Sequence, residues 1–322
     1  MTLVLRSHFP EPPAQSLIAA FEDHVRTTGQ PETFHAISTT KPPVDGDVEV
    51  LLEKISINKK LRPNGNGAPC PICSPTSPKY LSDGTLIWCA HTEAIYAIGP
   101  KCSLSIWTDN RLQTAKNVFR RSQKEREETA ALFHHVRRAD AFLQWIADHQ
   151  GRASAAELAH REFARSMRTL RLALSRDIKT KGPTLRSSSG RALATVRGPT
   201  FLTGSWSMSR ELSEAAASIR KATAEAGPDP QAWAEALAPT VRREKLKEIR
   251  AARQMLVRSA ERMSAAALFL SQGNIEPLAI WSKLESSPIR FEVSHTSTKI
   301  EVQQGSDRWL GPLGLAMPDA VP

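Results

Sequence analysis

Four cysteines, all between positions 70 and 102 of a 322-residue chain, are the side chains best placed to do chemistry. Cys70-Pro-Ile-Cys73 is a Cys-x-x-Cys knuckle: it sets two thiolates on one tight turn whose backbone amides can hydrogen-bond the sulfurs. Zinc takes four ligands in a tetrahedron, so two more must arrive from elsewhere. The stretch KYLSDGTLIW has an Asp83-Gly84 turn signal between two β-prone runs, and residues 79–88 are therefore expected to form a hairpin that returns Cys89 to the knuckle. TEAIYAIG then forms either one short helix or a third strand, after which Gly99-Pro100-Lys101-Cys102 turns sharply and presents the last thiolate. The expected ligands are Cys70, Cys73, Cys89 and Cys102, with His91 able to replace Cys89 or Cys102 because imidazole nitrogen also ligates zinc well. Four thiolates leave no open position for water, so the expected Zn2+ is structural and not catalytic. A disulfide scaffold fits less well, because the chain is large and has no other cysteine.

The run Ile98-Gly99-Pro100-Lys101-Cys102 resembles the closing knuckle of small zinc-ribbon-like modules in phage, plasmid and bacterial proteins, which pair a Cys-x-x-Cys with a terminal Gly-Pro-x-Cys. The resemblance covers about 35 residues, roughly a tenth of the chain. It implies metal binding at Cys70, Cys73 and Cys102, leaves the intervening ligand open, and implies little about activity.

The second chemical feature is charge. The chain carries a formal +10, and between positions 161 and 197 ten basic residues face only Glu162 and Asp177. They are Arg161, Arg165, Arg168, Arg171, Arg176, Lys179, Lys181, Arg186, Arg191 and Arg197. At 100° per residue the first five fall opposite Phe163, Met167, Leu170 and Leu174, which predicts a helix with an arginine stripe on one side and an apolar face on the other. Such a stripe can track the phosphates of DNA or RNA through forked hydrogen bonds, and it can equally serve as a solvated face. Glu157-x-x-His160 is a lone Glu-x-x-His, read as a capping carboxylate and a surface histidine. No phosphate loop, nucleophile elbow or nuclease-like carboxylate cluster is found, so an enzyme is not the expectation.

The elements that must position these residues are mostly helical. Ala14–Thr28 reads as a helix closed by Gly29 and Pro31, and VEVLLEKISI is ambiguous between strand and helix. Leu132, Val136, Ala139, Leu143 and Ile146 form a helical seam that Gly151 is expected to end, with Ser154 and Glu157 capping the next helix. Asp229-Pro230 opens a third long helix, in which Ile249, Leu256, Met263 and Leu270 repeat every seven residues around an interrupting Arg253. The joining segment 179–206 has β-like pieces at Ala192–Val196 and Thr200–Thr203. Alternation at Ile289, Phe291 and Val293, then at Ile300 and Val302, predicts a C-terminal β-hairpin followed by a loose tail.

The expected fold is thus mainly α: an elongated antiparallel helical or coiled-coil bundle with an inserted zinc-ribbon-like module and a short C-terminal β-hairpin. Its expected divisions are 1–66, an N-terminal helix and linker; 67–107, the zinc module; 108–272, the bundle with its basic tip; and 273–322, hairpin and tail. The short apolar start before Arg6 predicts no export, no stretch is long enough to span a membrane, and the location is expected to be cytoplasmic. The functional expectation is a non-enzymatic, zinc-containing, nucleic-acid-associated protein. The alternative is a scaffold whose zinc module and heptad helices dock partner proteins or a second copy.

Overall fold

A computed structural model of the chain describes residues 8–322 apart from 63–64, 103–105, 108, 188, 205, 285–286, 288 and the side chain of Pro75. Two compact units, Met1–Glu127 and Glu128–Pro322, each enclose their own apolar cores. Among the described residues there are eight α-helices and ten short strands, and the chain is mainly α.

In the first unit α1 (Gln15–Thr28) buries Ile18, Phe21 and Val25 and stops at Gly29, which adopts φ 66° and returns its amide to the Val25 carbonyl at 2.8 Å. The ambiguous run is a strand, β1 (Val48–Ile55). It pairs with β4 (Gly84–Cys89), which pairs in turn with β5 (Ala94–Ile98), giving an antiparallel sheet in the order β1-β4-β5. A separate hairpin joins β2 (Ala68–Cys70) to β3 (Ser74–Tyr80). Asp83 takes the left-handed φ of 59° that its turn signal implied. The expected 79–88 hairpin nevertheless does not form, because β3 and β4 belong to different sheets. The reason lies in composition: nearly every residue of β4 is buried, which suits a central strand, whereas β3 carries Pro75 and Pro78, which cannot donate to a ladder. β1 comes from the segment expected to be a linker, so residues 67–107 do not close a core of their own.

The second unit takes the end of α2 (Arg111–Arg137), then α3 (Ala139–Ser166), α4 (Arg168–Lys181), α5 (Met208–Thr223), α6 (Pro230–Ala236), α7 (Pro239–Phe269) and α8 (Gln272–Ser282). The expected break at Gly151 and the capping box at Ser154 are absent: α3 runs straight through both. An interior glycine costs about 1 kcal/mol, and burial of Ile146, Ala153, Ala156 and Phe163 on the inner face outweighs it. The helix breaks instead at fully buried Met167, with φ −115° and ψ 39°. Asp229 does cap, its Oδ1 accepting from the amides of Gln231 and Ala232 at 3.1 and 3.0 Å, but it caps only short α6. Pro239, without an N–H, starts α7 afresh.

The heptad residues Ile249, Leu256, Met263 and Leu270 are all buried within the unit, while Arg253 points to solvent. β6 (Thr184–Arg186) and β7 (Ala192–Thr195) form a hairpin in the expected tip, but Pro199–Leu202 is a 3-10 turn where extended chain was expected. The C-terminal β-structure has three strands, β8 (Glu292–His295), β9 (Lys299–Gln304) and β10 (Asp307–Pro312), in the order β8-β9-β10. The chain beyond Pro312 is tied down and not a loose tail. Gly314 donates to the Leu270 carbonyl at 3.1 Å, Trp145 Nε1 to the Asp319 carbonyl at 3.2 Å, and the Asp319 amide to His149 Nε2 at 3.1 Å. No helix among the described residues is long and apolar enough to cross a membrane.

Candidate metal centre and basic segment

Cys70, Cys73 and Cys102 place their sulfurs within 4.8 Å of one another. Cys70 ends β2, Cys73 closes the turn before β3, and Cys102 follows the Gly99-Pro100-Lys101 turn after β5. The two turns are tied together by the Gly99 amide, which donates to Cys70 Sγ at 3.3 Å. Backbone amides aimed at sulfurs in this way also recur in metal-binding knuckles. Cys70 is fully buried, Cys102 half-buried and Cys73 exposed. The sulfurs of Cys73 and Cys102 are in bonding contact, so these positions can form a disulfide beside the Cys70 thiol or, reduced, offer three thiolates to one ion.

Cys89 does not join them. Its sulfur is buried against Gly46, where a Cβ would come within 2.8 Å of it, and the exposed His91 lies against the same glycine. The register explains this correction to the expected ligand set. Cys89 faces Ala94, while Ile98 faces Thr85, so the chain leaves β5 for Cys102 at the opposite end of the ladder from Cys89. Four residues of antiparallel strand separate the two ends, about 13 Å.

The fourth position of a tetrahedral centre has no cysteine or histidine among the described residues. In the second turn a paired Cys-x-x-Cys would put a thiol at position 99, but glycine stands there, and a Cβ on it would lie 3.1 Å from the Tyr80 ring. Tyr80 is buried, and its hydroxyl has no hydrogen-bond partner among the described residues. Burial, then the charges of Cys70 and Glu32, push its ionisation far up, against a smaller opposing effect of Arg62. Glu32 gives one carboxylate oxygen to Arg62 and keeps the other buried without a partner among the described residues. The Arg62 guanidinium also reaches the carbonyls of Gly29, Asn66 and Gly67, locking this corner together. A cavity of about 10 Å³ beside Glu32, Ser38, Pro69 and Pro71 has room for one water. Nothing in the sequence marks Tyr80 as a neighbour of this corner, since there it is one aromatic in a proline-rich strand.

Three sulfurs, one of them accepting from a backbone amide, fit a soft divalent ion such as Zn2+, with a fourth ligand from outside the cysteine set. The closed four-thiolate arrangement expected from sequence is not built.

Nine of the ten cations between 161 and 197 are exposed. Arg171 is the exception: half-buried, it donates to the Leu202 carbonyl at 3.1 Å, and its Nε is buried without a partner among the described residues. The stripe is also not one helix, since Arg161 and Arg165 precede the break at Met167 while Arg168, Arg176, Lys179 and Lys181 follow it. Arg186, Arg191 and Arg197 lie in and beyond the β6–β7 hairpin. Lys181 pairs with Asp177 at 2.7 Å, whereas Arg161, Arg165, Arg168 and Arg176 have no carboxylate partner among the described residues.

Glu157 is a cap, but for another helix. Its two oxygens accept from the amide and hydroxyl of Ser209 at 2.8 and 3.0 Å, at the start of α5. His160 is not a surface residue: it is buried, stacked on Trp206 with centroids 4.7 Å apart and edge-on to Phe201. Burial, helped by Arg171, pulls its pKa down to about 4. Comparison with family models, with curated proteins and with solved structures gives no match for this chain.

Proposed function

We propose that the protein is a non-enzymatic, metal-stabilised nucleic-acid-associated protein. In this reading Zn2+ held by Cys70, Cys73 and Cys102 would pin the two turns of the first unit, and the cations of α3, α4 and the β6–β7 hairpin contact phosphates. The observation that carries it is the exposure of nine basic residues in one segment, four arginines of which lack any carboxylate partner among the described residues. Unpaired guanidiniums at helical spacing suit the regular negative charge of a nucleic-acid backbone. The metal supplies stability and ties the turns together, the role that thiolate-held zinc takes in ribbon-like modules.

The test is a salt titration of binding to random-sequence duplex and single strands. Affinity is expected to fall steeply with salt and to be lost in Arg161→Glu/Arg165→Glu/Arg168→Glu. No binding by the wild type at low salt ends the reading.

A docking role is the second reading. It draws support from a cleft of about 930 Å³ in the first unit, lined by Ile18, Val118, Phe119 and β1, whose outer edge pairs with no strand among the described residues. The heptad seam of α7 lends it nothing, since those residues are already buried. Light scattering that finds a stable dimer favours this reading.

A further inference from the structure

The end of α2 and the middle of α7 lie together in the second unit. Leu132 and Val136 share a buried cluster with Leu246 and Ile249, and Glu128 pairs with Arg243 at 3.6 Å. Beside that apolar seam cations from the two helices come within electrostatic reach of His135. α2 and the residue after it contribute His134, His135 and Arg138, and α7 contributes Arg250 and Arg253 one turn apart. All are exposed except His135, which is half-buried. Arg138 donates to His134 Nε2 at 3.3 Å, and His135 Nδ1 is buried with no partner among the described residues.

No carboxylate pairs with any of these five among the described residues. The acids nearby on the same helices are engaged elsewhere, Glu128 with Arg243 and Glu248 with Lys221. His135 registers the imbalance: burial and the charges of His134, Arg250, Arg253 and Arg138 all drive its pKa down. Packing of the apolar seam forces these like charges together, and an anion with several oxygens relieves the repulsion. Arginine forks and an imidazole N–H match phosphate oxygens in geometry and charge.

We infer that this face of α2 and α7 is a second phosphate-contact surface, taking the backbone of a nucleic acid across the seam. It rests on the nucleic-acid reading above and adds to the 161–197 segment a patch that no run in the sequence marks. Arg138 and Arg250 are far apart in the chain, and the buried cluster that holds both Val136 and Ile249 brings their helices together.

The experiment measures binding of the full chain to a short random-sequence duplex over a range of salt, for Arg250→Glu/Arg253→Glu and for the milder Arg250→Gln/Arg253→Gln. Both positions are exposed, and circular dichroism checks that each variant keeps its fold. The expected result is affinity at least tenfold lower in the charge-reversed protein, with the slope of log K against log salt shallower by about two, since each phosphate contact contributes about 0.9. In the wild type, duplex raises the His135 titration midpoint seen by NMR, and millimolar inorganic phosphate raises it less. Unchanged affinity and slope in both variants, with loss of binding confined to the Arg161, Arg165 and Arg168 changes, overturns this surface and leaves the arm reading standing. Absence of wild-type binding overturns both. Displacement of the duplex by polyglutamate at equal charge assigns the face to acidic protein and overturns it as well.

Discussion

Cys89 faces Ala94 across the β4–β5 ladder, and this pairing separates it from the three other cysteines. The strand that starts at Ala94 runs back to Ile98 opposite Thr85, and only then does the turn to Cys102 begin. Metal content should therefore sort the cysteines into two groups. In protein purified under reducing conditions, Cys70→Ser and Cys102→Ser are expected to lose zinc, while Cys89→Ser keeps the wild-type amount. Burying a hydroxyl beside Gly46 should still cost Cys89→Ser about 1–2 kcal/mol of stability. Metal analysis of the three variants decides, and an equal loss in Cys89→Ser would refute the three-sulfur site.

Tyr80 offers a test of the same corner from its other side. Its ring lies against Gly99, and its buried hydroxyl has no partner among the described residues, an arrangement that costs about 1–3 kcal/mol if nothing binds there. Tyr80→Phe removes the cost and keeps the ring, so it is expected to raise the midpoint of thermal unfolding in metal-free protein. A lower midpoint would mean that a water or ligand holds the oxygen.

How far the sequence anticipated this molecule depended on whether a signal was local. α1 and its Gly29 stop, the knuckle at Cys70 and Cys73, and the alternation of β9 rest on neighbours a few residues apart, and these the sequence shows. The fate of Cys89 was not local: it turned on whether β4 preferred β3 or β1 as a partner, a choice decided by burial on both faces of the sheet. Gly151 misled for a related reason, since an intrinsic helix penalty of about 1 kcal/mol is small beside the burial of Ala153, Ala156 and Phe163. Surface charge divides in the same way. The run 161–197 is visible by counting, whereas the gathering of Arg138, Arg250 and Arg253 around His135 exists only after packing.

Gly198 is a position where backbone geometry leaves no room for a side chain. It has φ +61°, and a Cβ there would meet the carbonyl oxygen of Ala265 on α7 at 2.1 Å, with the Phe269 amide at 3.0 Å. Neither atom can move without disturbing the helix against which the Pro199–Leu202 turn packs. Gly198→Ala is expected to destabilise the second unit by about 3 kcal/mol or more, combining left-handed strain with overpacking. Urea denaturation followed by tryptophan fluorescence measures it, and a loss below about 1 kcal/mol would show that the turn can swing away.

His160 should make the second unit sensitive to acid. Its folded pKa of about 4 lies below the ordinary 6.5, because the ring is buried between Trp206 and Phe201 with Arg171 nearby. The unfolded chain thus binds a proton that the folded chain refuses, and folding is favoured at high pH. The contribution is fully present above about 6.5, declines as pH falls, and is exhausted near 4. The span corresponds to at most about 3 kcal/mol. His160→Phe keeps an aromatic ring against Trp206 and cannot be protonated. Subtracting its stability from that of the wild type at each pH should therefore leave a difference that falls by up to about 3 kcal/mol as pH drops from 6.5 to 4 and is level on either side. A difference independent of pH across that window would mean that the imidazole keeps its ordinary affinity for protons inside the fold.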